Sequence, residues 1–366
     1  MATVLKVGVI GCGGIAQMTH LPFLAERHDL FQIEAVCDPY PLSRQAVAER
    51  YRVPHQFADA ADLLKLPLDA VLVLSADPHT PAVIAAAQAG KHVFVEKPLA
   101  INLREVNDVR NAVDKAGVQL MIGYMKRFDP TYRHVQQLLA GRDDLRHAQI
   151  NVWHPDDAAY RTHHRIVPPP VLLDRAAVVD EMGVTELVTQ GVLSDLVDEA
   201  LGRGGNIDRR IAYFILCTSI VHQVSAMRGI LGEPEAVLST HVWHDARGIQ
   251  STFQFSKQLT ATLTWLFLPG IKHYRESYEF LAPDLRLEMV FPSPYLLHFP
   301  TSLRLEGMEN GMPWEKHMTV SNAEAFHEEM LHFHHCVVTG ERPMTGIEEA
   351  QRDTELLMAM ANAYQP

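Results

Sequence analysis

Two short segments carry residue types that could do chemistry. Gly11, Gly13 and Ala16 form a Gly-x-Gly-x-x-Ala turn, and a Glu-Lys-Pro run follows at residues 96–98. Glycines in such a turn let the backbone approach a pyrophosphate, and the N-terminus of the following helix attracts its negative charge. A lysine held in a desolvated site can take a proton from a hydroxyl group or return it. The two segments together indicate a dinucleotide site with a titratable lysine beside it.

The residues around the glycine turn agree with this interpretation. The apolar run Val4–Ile10 precedes the turn as a strand, and Gly14–Arg27 is predicted as a helix. Asp38 ends a second strand, where its carboxylate can accept hydrogen bonds from an adenosine ribose. NAD is therefore expected, and NADP less so because Asp38 would repel a 2′-phosphate, although Arg44 nearby could offset that repulsion. A glycine turn without any cofactor is the plainer alternative.

The first 123 residues alternate apolar strands with amphipathic helices. Further buried strands are predicted over Asp69–Leu74, His92–Val95 and Val118–Ile122, with helices between them. Buried strands separated by helices form parallel sheets with right-handed crossovers. Such a sheet binds its ligands beyond the carboxyl ends of the strands, which is where Lys97 follows a strand. Residues 1–123 are therefore predicted to be a dinucleotide-binding Rossmann domain.

The pattern changes in residues 124–366. Over Leu259–Phe267 the apolar side chains share one face and the threonines share the other. Repeated strands of this kind predict a large, mostly antiparallel open sheet with helices on one face, followed by C-terminal helices over 323–363. This second domain is expected to bind substrate. Its sheet has more surface than the remaining helices can cover, which predicts a homodimer or homotetramer.

Composition excludes several classes of function. The chain has 366 residues, a formal net charge of −12 and no block of lysine and arginine, so neither nucleic acid nor an anionic membrane is an expected partner. No signal peptide and no apolar run of membrane-spanning length are evident, which favours a cytoplasmic protein. The four cysteines form no Cys-x-x-Cys pair, and the 20 histidines lack the clustered carboxylates of a metal site.

Several separated motifs resemble the glucose–fructose oxidoreductase / inositol dehydrogenase / rhizopine-catabolism (Gfo/Idh/MocA) family. Residues 89–100 are close to its signature, with His79 at the family's spacing before them. Residues 123–130 look like its Gly-Tyr-x-x-Arg-Phe-x-Pro run, and the tail from 326 to 343 is similar to its C-terminal elements. The resemblance implies a Rossmann domain, then an open antiparallel sheet whose flat face often mediates oligomers.

The resemblance also implies an activity and a set of site residues. An NAD-dependent oxidoreductase would transfer a hydride between nicotinamide and a secondary alcohol of a sugar, glycoside or cyclitol, with Lys97 as acid–base catalyst and His222 assisting. A structural salt bridge is the alternative role for Lys97. The expected substrate contacts are Tyr124, Arg127, His154 and Thr218. The expected cofactor contacts are Gly11, Gly13, Gly14, Ile15, Ala16, Asp38, Ser75, Ala76, His79, Glu96 and Lys97.

The chain departs from the family pattern at the second-domain site. Thr218 stands four residues before His222, where the family has an Asp, and Ser225 replaces a later Asp. A threonine can hydrogen-bond a substrate hydroxyl but cannot hold an imidazolium as a carboxylate does. His222 could therefore be a core histidine instead. Residues 166–210 look like an insertion that could cover or reshape the pocket, and a replacement acid could come from Asp174, Asp180 or Glu181.

These departures keep two other functions open. One is a family variant that retains NAD and oxidises its substrate transiently to enable elimination. The other is a non-catalytic dinucleotide-binding sensor or regulatory protein. The Glu-Lys-Pro run at 96–98 favours an enzyme, whereas Thr218 and Ser225 favour the sensor.

Overall fold

The computed structural model describes residues 3–156, 158–167, 181–204, 206–256 and 258–364. Asp174 and Asp180, proposed above as replacement acids, lie outside the described residues, as does the side chain of Glu181. The chain forms two compact units. Unit 1 comprises the described parts of Met1–Tyr124, His163–Ala200 and Glu329–Thr354; unit 2 comprises those of Met125–Thr162, Leu201–Glu328 and Glu355–Pro366.

Unit 1 contains a six-stranded sheet in the order β3-β2-β1-β4-β5-β6, with every pairing parallel. The strands are β1 (Leu5–Ile10), β2 (Phe31–Cys37), β3 (His55–Phe57), β4 (Ala70–Val73), β5 (His92–Val95) and β6 (Leu120–Ile122). This order is the doubly wound order of dinucleotide-binding sheets, whose switch point lies between β1 and β4. The predicted Rossmann sheet is confirmed. Only the short edge strand β3 was missed, because its residues are largely polar and exposed.

The helices of unit 1 begin and end at identifiable signals. They are α1 (Leu21–Glu26), α2 (Pro41–Tyr51), α3 (Ala60–Leu63), α4 (Thr80–Gln88), α5 (Leu103–Ala116), α6 (Glu181–Thr189) and α7 (Gly191–Leu201). Asn102 caps α5 by accepting the N–H of Glu105, and Gly117 ends it in the left-handed conformation. A π-helical segment, Ala16–His20, precedes α1 where an unbroken α-helix was predicted. Gly191, with φ of +72°, separates α6 from α7.

Unit 2 contains an eight-stranded sheet in the order β14-β13-β12-β11-β7-β10-β9-β8. Its strands are β7 (His147–His154), β8 (Ala236–Trp243), β9 (Gly248–Gln254), β10 (Thr260–Phe267), β11 (Arg275–Leu281), β12 (Leu285–Phe291), β13 (Ser302–Glu309) and β14 (Met312–Thr319). Only β7 and β10 pair in parallel, so the mostly antiparallel sheet is confirmed. In β10 the side chains of Ala261, Leu263 and Trp265 are buried and those between them are half-buried.

The remaining helices are α8 (Pro130–Leu139), α9 (Ala158–Arg161), α10 (Ile207–Ile215), α11 (Val221–Leu231), α12 (Ala325–Thr339) and α13 (Ile347–Asn362). A π-helical segment, Leu216–Ile220, joins α10 to α11. The combined segment Ile207–Leu231 is long and apolar enough to cross a membrane, which corrects the expectation that no run of that length exists. It is weak evidence for a membrane, because 56% of its most apolar window is buried and core helices pass the same test.

Candidate active site

The glycine turn lies at the switch point of the unit 1 sheet. Gly11 has a φ of +100°, and a Cβ placed on it would lie 2.4 Å from the backbone nitrogen of Ser75. The loop after β1 therefore touches the loop after β4, and only glycine allows that approach. No atom lies within 4 Å of a Cβ placed on Gly13, and residues 13–15 are half-buried. This open, glycine-lined turn at the start of a helical segment fits a dinucleotide pyrophosphate.

Asp38 lies at the end of β2 and is only 8% exposed. Its two carboxylate oxygens accept the backbone N–H groups of Cys12 and Tyr40, each at 2.8 Å. Asp38 thus shapes the glycine loop directly. Each carboxylate oxygen retains a second lone pair that a ribose hydroxyl can use. Arg44 donates to the backbone carbonyl of Asp38 at 2.6 Å, which places a guanidinium beside the predicted ribose position.

Glu96 and Lys97 follow β5 at the same edge of the sheet. Glu96 is buried, and its Oε1 lies 2.8 Å from Nε2 of His20. Its Oε2 accepts the backbone N–H of Lys97 at 3.3 Å. Burial raises the pKa of Glu96, but the hydrogen bond and charge of His20 outweigh burial, and the net direction is down. Glu96 is therefore an ionised group that braces the turn carrying Lys97, whose side chain is half-buried.

His79 ties the two loops of this edge together. Its Nδ1 lies 2.7 Å from the carbonyl oxygen of Pro98, and its Nε2 lies 2.8 Å from that of Ser75. Carbonyl oxygens only accept hydrogen bonds, so this geometry favours a ring with hydrogen on both nitrogens. Burial opposes a charged ring, but hydrogen bonds to Asp77, Pro98 and Ser75 outweigh it and raise the pKa of His79. His79 thus links the loop after β4 to the Lys97 turn. Ala76, in the loop after β4, is exposed.

Sequence reasoning missed three buried polar residues of this region. Gln17, directly after the glycine fingerprint, hydrogen-bonds the backbone of Cys12 and of Val167. His20 braces Glu96 as described, and Glu329 on α12 is fully buried, so that burial first and the charge of Glu96 second raise its pKa. A polar side chain on an apolar helical face is a detectable signal, and Glu329 shows it because it lies one turn before Phe333, which packs on Phe94.

The predicted residues of unit 2 occupy different local settings. Arg127 is buried, donates to the carbonyl of Ser225 at 3.2 Å, and fills the space beside Gly229, where a Cβ would lie 2.5 Å from its Nε. These contacts are sufficient for a structural role, and a substrate contact stays a prediction. Tyr124, the last residue of the first segment of unit 1, is 2% exposed.

Thr218 and His222 lie on either side of the end of the π-helical segment. Thr218 donates its hydroxyl to the carbonyl of Phe214 at 2.8 Å, so this proton is used within its own helix. Both side chains are half-buried. A four-residue spacing is close to one turn of either an α-helix or a π-helix, so the π-helical segment does not by itself separate the two side chains onto different faces.

His154 ends β7 in an aromatic cluster. Its ring centroid lies 5.9 Å from that of Trp265 and 5.7 Å from that of Tyr274. Tyr274 also hydrogen-bonds Glu276, which is fully buried and lies 2.9 Å from Nζ of Lys126. Aromatic faces with adjoining polar groups are suited to sugar rings, which makes His154 a reasonable substrate-contact candidate.

Among the described residues, no group of three or more His, Cys, Asp or Glu side chains is placed to hold a metal ion. All four cysteines are buried and unpaired with one another, and burial raises the pKa of Cys12 to about 12. A thiol in that state is a poor nucleophile.

Comparison with known families finds a match for the first segment of unit 1. Residues 5–124 match the model of an oxidoreductase family with an NAD-binding Rossmann fold, GFO_IDH_MocA. The resemblance to the Gfo/Idh/MocA family that was inferred from the motifs is therefore confirmed for residues 5–124.

Curated relatives share part of their length with the chain. Myo-inositol 2-dehydrogenase of Thermotoga maritima is 30% identical over 216 residues, which cover 57% of this chain and 64% of that protein. Inositol 2-dehydrogenase of Ralstonia nicotianae is 34% identical over 139 residues, covering 37% and 41% of the two chains. The chain thus spans less than two thirds of the length of these relatives.

Solved structures share the fold over the whole chain. KijD10, a 3-ketoreductase from Actinomadura kijaniata in complex with NADP and TDP-benzene, is 22% identical with a TM-score of 0.73 and 100% of each chain covered. An aldose-aldose oxidoreductase from Caulobacter crescentus is 19% identical with the same TM-score, covering 99% of this chain and 97% of its own. The predicted fold class, a Rossmann sheet followed by a large mostly antiparallel sheet, is confirmed.

Proposed function

We propose that the protein is an NAD-dependent oxidoreductase acting on a secondary alcohol of a sugar, glycoside or cyclitol. The observation that carries the proposal is the braced turn at the end of β5. His20, Glu96 and His79 hold Lys97 at the carboxyl edge of a sheet in dinucleotide-binding order. The inositol dehydrogenases among the relatives support the substrate class.

The chemistry divides between the cofactor and the chain. The glycine turn and Asp38 would hold the pyrophosphate and the ribose of a dinucleotide, whose nicotinamide would supply the hydride chemistry at the carbinol carbon. Lys97 would take the hydroxyl proton as the ketone forms and return it in the reverse direction. His222, from residues 124–366, is proposed to assist Lys97, with Tyr124, Arg127, His154 and Thr218 as substrate contacts. The boundary between a cofactor domain of 1–123 and a substrate domain of 124–366, and a cytoplasmic location, belong to the same proposal.

The cofactor preference can be tested by calorimetry. NAD should bind more tightly than NADP, and Asp38→Ala should narrow the ratio of the two dissociation constants because the repelling carboxylate is gone. Asp69→Ala is the matched control, since Asp69 accepts the N–H of Lys6 at the opposite edge of the sheet. The ratio is the quantity to compare, because Asp38 also holds the glycine loop. Equal or tighter NADP binding by the unmodified protein would contradict the preference.

The catalytic role of Lys97 requires a substrate. A panel of sugars and cyclitols, followed by the absorbance of reduced cofactor, identifies it. Lys97→Ala should then lose at least ~100-fold in turnover, the usual scale for a positioned acid–base group, with NAD affinity little changed. Lys91→Ala is the control, because Lys91 donates to the carbonyl of Leu68 at the other end of β5. Near-normal activity of Lys97→Ala would refute its role.

A second candidate, transient oxidation with retained NAD, is favoured by one observation. Thr218 gives its hydroxyl hydrogen to Phe214 and cannot orient His222 as a carboxylate does. A single-turnover absorbance change without accumulation of free reduced cofactor would support this variant. Binding of NAD without hydride transfer to any member of the panel would instead favour the sensor.

A further inference from the structure

Residues 165–167 lie far from the glycine loop of unit 1 in the sequence but are hydrogen-bonded to the helical segments beside it. Gln17 donates from Nε2 to the carbonyl of Val167 at 3.1 Å, and its Oε1 accepts the N–H of Val167 at 2.9 Å. Ser43 donates its hydroxyl to the same carbonyl at 3.1 Å, and Arg50 donates to the carbonyl of Arg165 at 3.1 Å. Residues 165–167 are therefore held by four hydrogen bonds from two helical segments.

The two side chains that hold Val167 are themselves well fixed. Gln17 is 5% exposed and Ser43 is 1% exposed. The second Nε2 hydrogen of Gln17 is donated to the carbonyl of Cys12 at 2.7 Å, inside the glycine turn. The amide of Gln17 thus uses both hydrogens and its oxygen, and the carbonyl of Val167 accepts twice. Full hydrogen bonding of this kind favours one fixed arrangement, because a buried amide group without a hydrogen-bond partner destabilises the folded protein.

The position of this contact relates it to the cofactor. Gln17 belongs to the helical segment whose start receives the pyrophosphate, and Ser43 belongs to α2, which follows the ribose-binding Asp38. Val167 bridges these two helical segments. The amide of Gln17 also binds the carbonyl of Cys12, and the backbone N–H of Cys12 donates to the carboxylate of Asp38. The segment therefore lies beside the adenosine half of the predicted dinucleotide site.

We propose that residues 165–167, held by Gln17 and Ser43, form a wall of the dinucleotide site at its adenosine end and slow the release of the bound dinucleotide. The proposal rests on the dinucleotide site of the proposed function. Gln17 acts in it as a positioning residue. Its side chain orders the wall and the glycine turn together, so both change when it is removed.

Release of NADH, displaced by excess NAD and followed by fluorescence, tests the wall. Gln17→Ala should release NADH at least tenfold faster, which is about the effect of losing one buried hydrogen bond, and Ser43→Ala should have a smaller effect in the same direction. Gln136→Ala is the matched control, because Gln136 likewise donates from Nε2 to a carbonyl, that of Gly229, but in unit 2. An unchanged or slower release from Gln17→Ala overturns the proposal.

Two further measurements separate the possible failures. Hydrogen exchange of the Val167 amide should be slow in the unmodified protein, fast in Gln17→Ala and unaffected in Gln136→Ala. ADP-ribose should lose affinity in Gln17→Ala while nicotinamide mononucleotide does not, because the wall lies at the adenosine end. If the unmodified protein binds no NADH, the proposed function fails as well. If NADH binds and the Val167 amide responds but release does not, only the wall is refuted. Ser43→Ala provides the comparison should Gln17→Ala fail to fold.

Discussion

At the scale of single residues, the pKa values of two neighbouring buried acids are shifted in opposite directions. Burial raises the pKa of Glu96, but the hydrogen bond from His20 outweighs burial and lowers it. Glu329 is 0% exposed, and neither of its carboxylate oxygens has a hydrogen-bond partner among the described residues. Burial first, and the charge of Glu96 second, raise the pKa of Glu329 well above its ordinary value.

The raised pKa of Glu329 predicts that the stability of the protein depends on pH. An acid whose pKa is higher in the folded than in the unfolded protein holds a proton that unfolding releases, so its contribution is full below about pH 4.3 and falls as pH rises towards the folded pKa. Glu329→Gln removes this loss. Relative to the unmodified protein, its free energy of unfolding should rise by up to about 1.4 kcal/mol per pH unit.

Urea unfolding of the two proteins between about pH 5 and pH 8 measures that difference. Glu328→Gln, on the same helix with a half-buried side chain, is the matched control and should show a difference that does not grow with pH. If the difference in free energy of unfolding between Glu329→Gln and the unmodified protein did not change with pH, the pKa of Glu329 in the folded protein would not be raised.

At the scale of elements, the contact between the loops after β1 and β4 creates the cofactor cradle. Gly11→Ala should strain the backbone, because φ is +100°, and push its Cβ into the backbone of Ser75. We expect a loss of about 1–3 kcal/mol in the free energy of unfolding together with loss of NAD binding. Thermal unfolding and calorimetry measure the two effects.

Gly90→Ala separates the effect of backbone strain from the effect of a steric collision of the added Cβ. Gly90 has a φ of +71°, but no atom lies within 4 Å of a Cβ placed on it, so the substitution carries only the backbone cost. It should destabilise the protein by about 1–2 kcal/mol and leave NAD binding intact. Equal effects of the two substitutions on NAD binding would argue against the cradle at Gly11.

The two π-helical segments are also features of elements. Ala16–His20 follows the glycine turn, and Leu216–Ile220 contains Thr218 and ends just before His222. Single π-helical turns inside α-helices occur frequently at functional sites. Both lie where the sequence motifs indicated chemistry, although the motifs themselves carry no sign of the change in helical period.

At the scale of the molecule, the sheet of unit 2 bears on self-association. Leu238, Met308 and Met312 lie on β8, β13 and β14 and are 52%, 63% and 66% exposed. Large exposed apolar side chains on strands favour burial against a partner. We predict a homodimer or homotetramer formed through this sheet.

Light scattering at micromolar concentration tests this prediction. Met308→Asp combined with Met312→Asp should shift the protein towards monomer, because carboxylates would have to be desolvated in the contact. Leu42→Asp, at a position that is 59% exposed in unit 1, is the control and should leave the mass unchanged. A monomeric unmodified protein would contradict the prediction.

The sequence by itself determined the fold class. The spacing of apolar residues in strands and helices and the glycine fingerprint are local signals, because each depends only on residues that are close together in the chain. The strand His92–Val95 begins and ends as predicted. It also determined the position of Lys97 at the carboxyl edge, since that follows from one strand and its direction.

Only the tertiary structure decided how this edge is braced. His20 reaches Glu96 across 76 positions, and Gln17 reaches Val167 across 150. No local pattern specifies such pairs, because they depend on which segments the folded chain brings together. The same holds for Glu329, whose raised pKa results from burial beside Glu96 and not from its neighbours in sequence. Periodicity places a side chain on a face, whereas its partner and its charge depend on the packing of the whole chain.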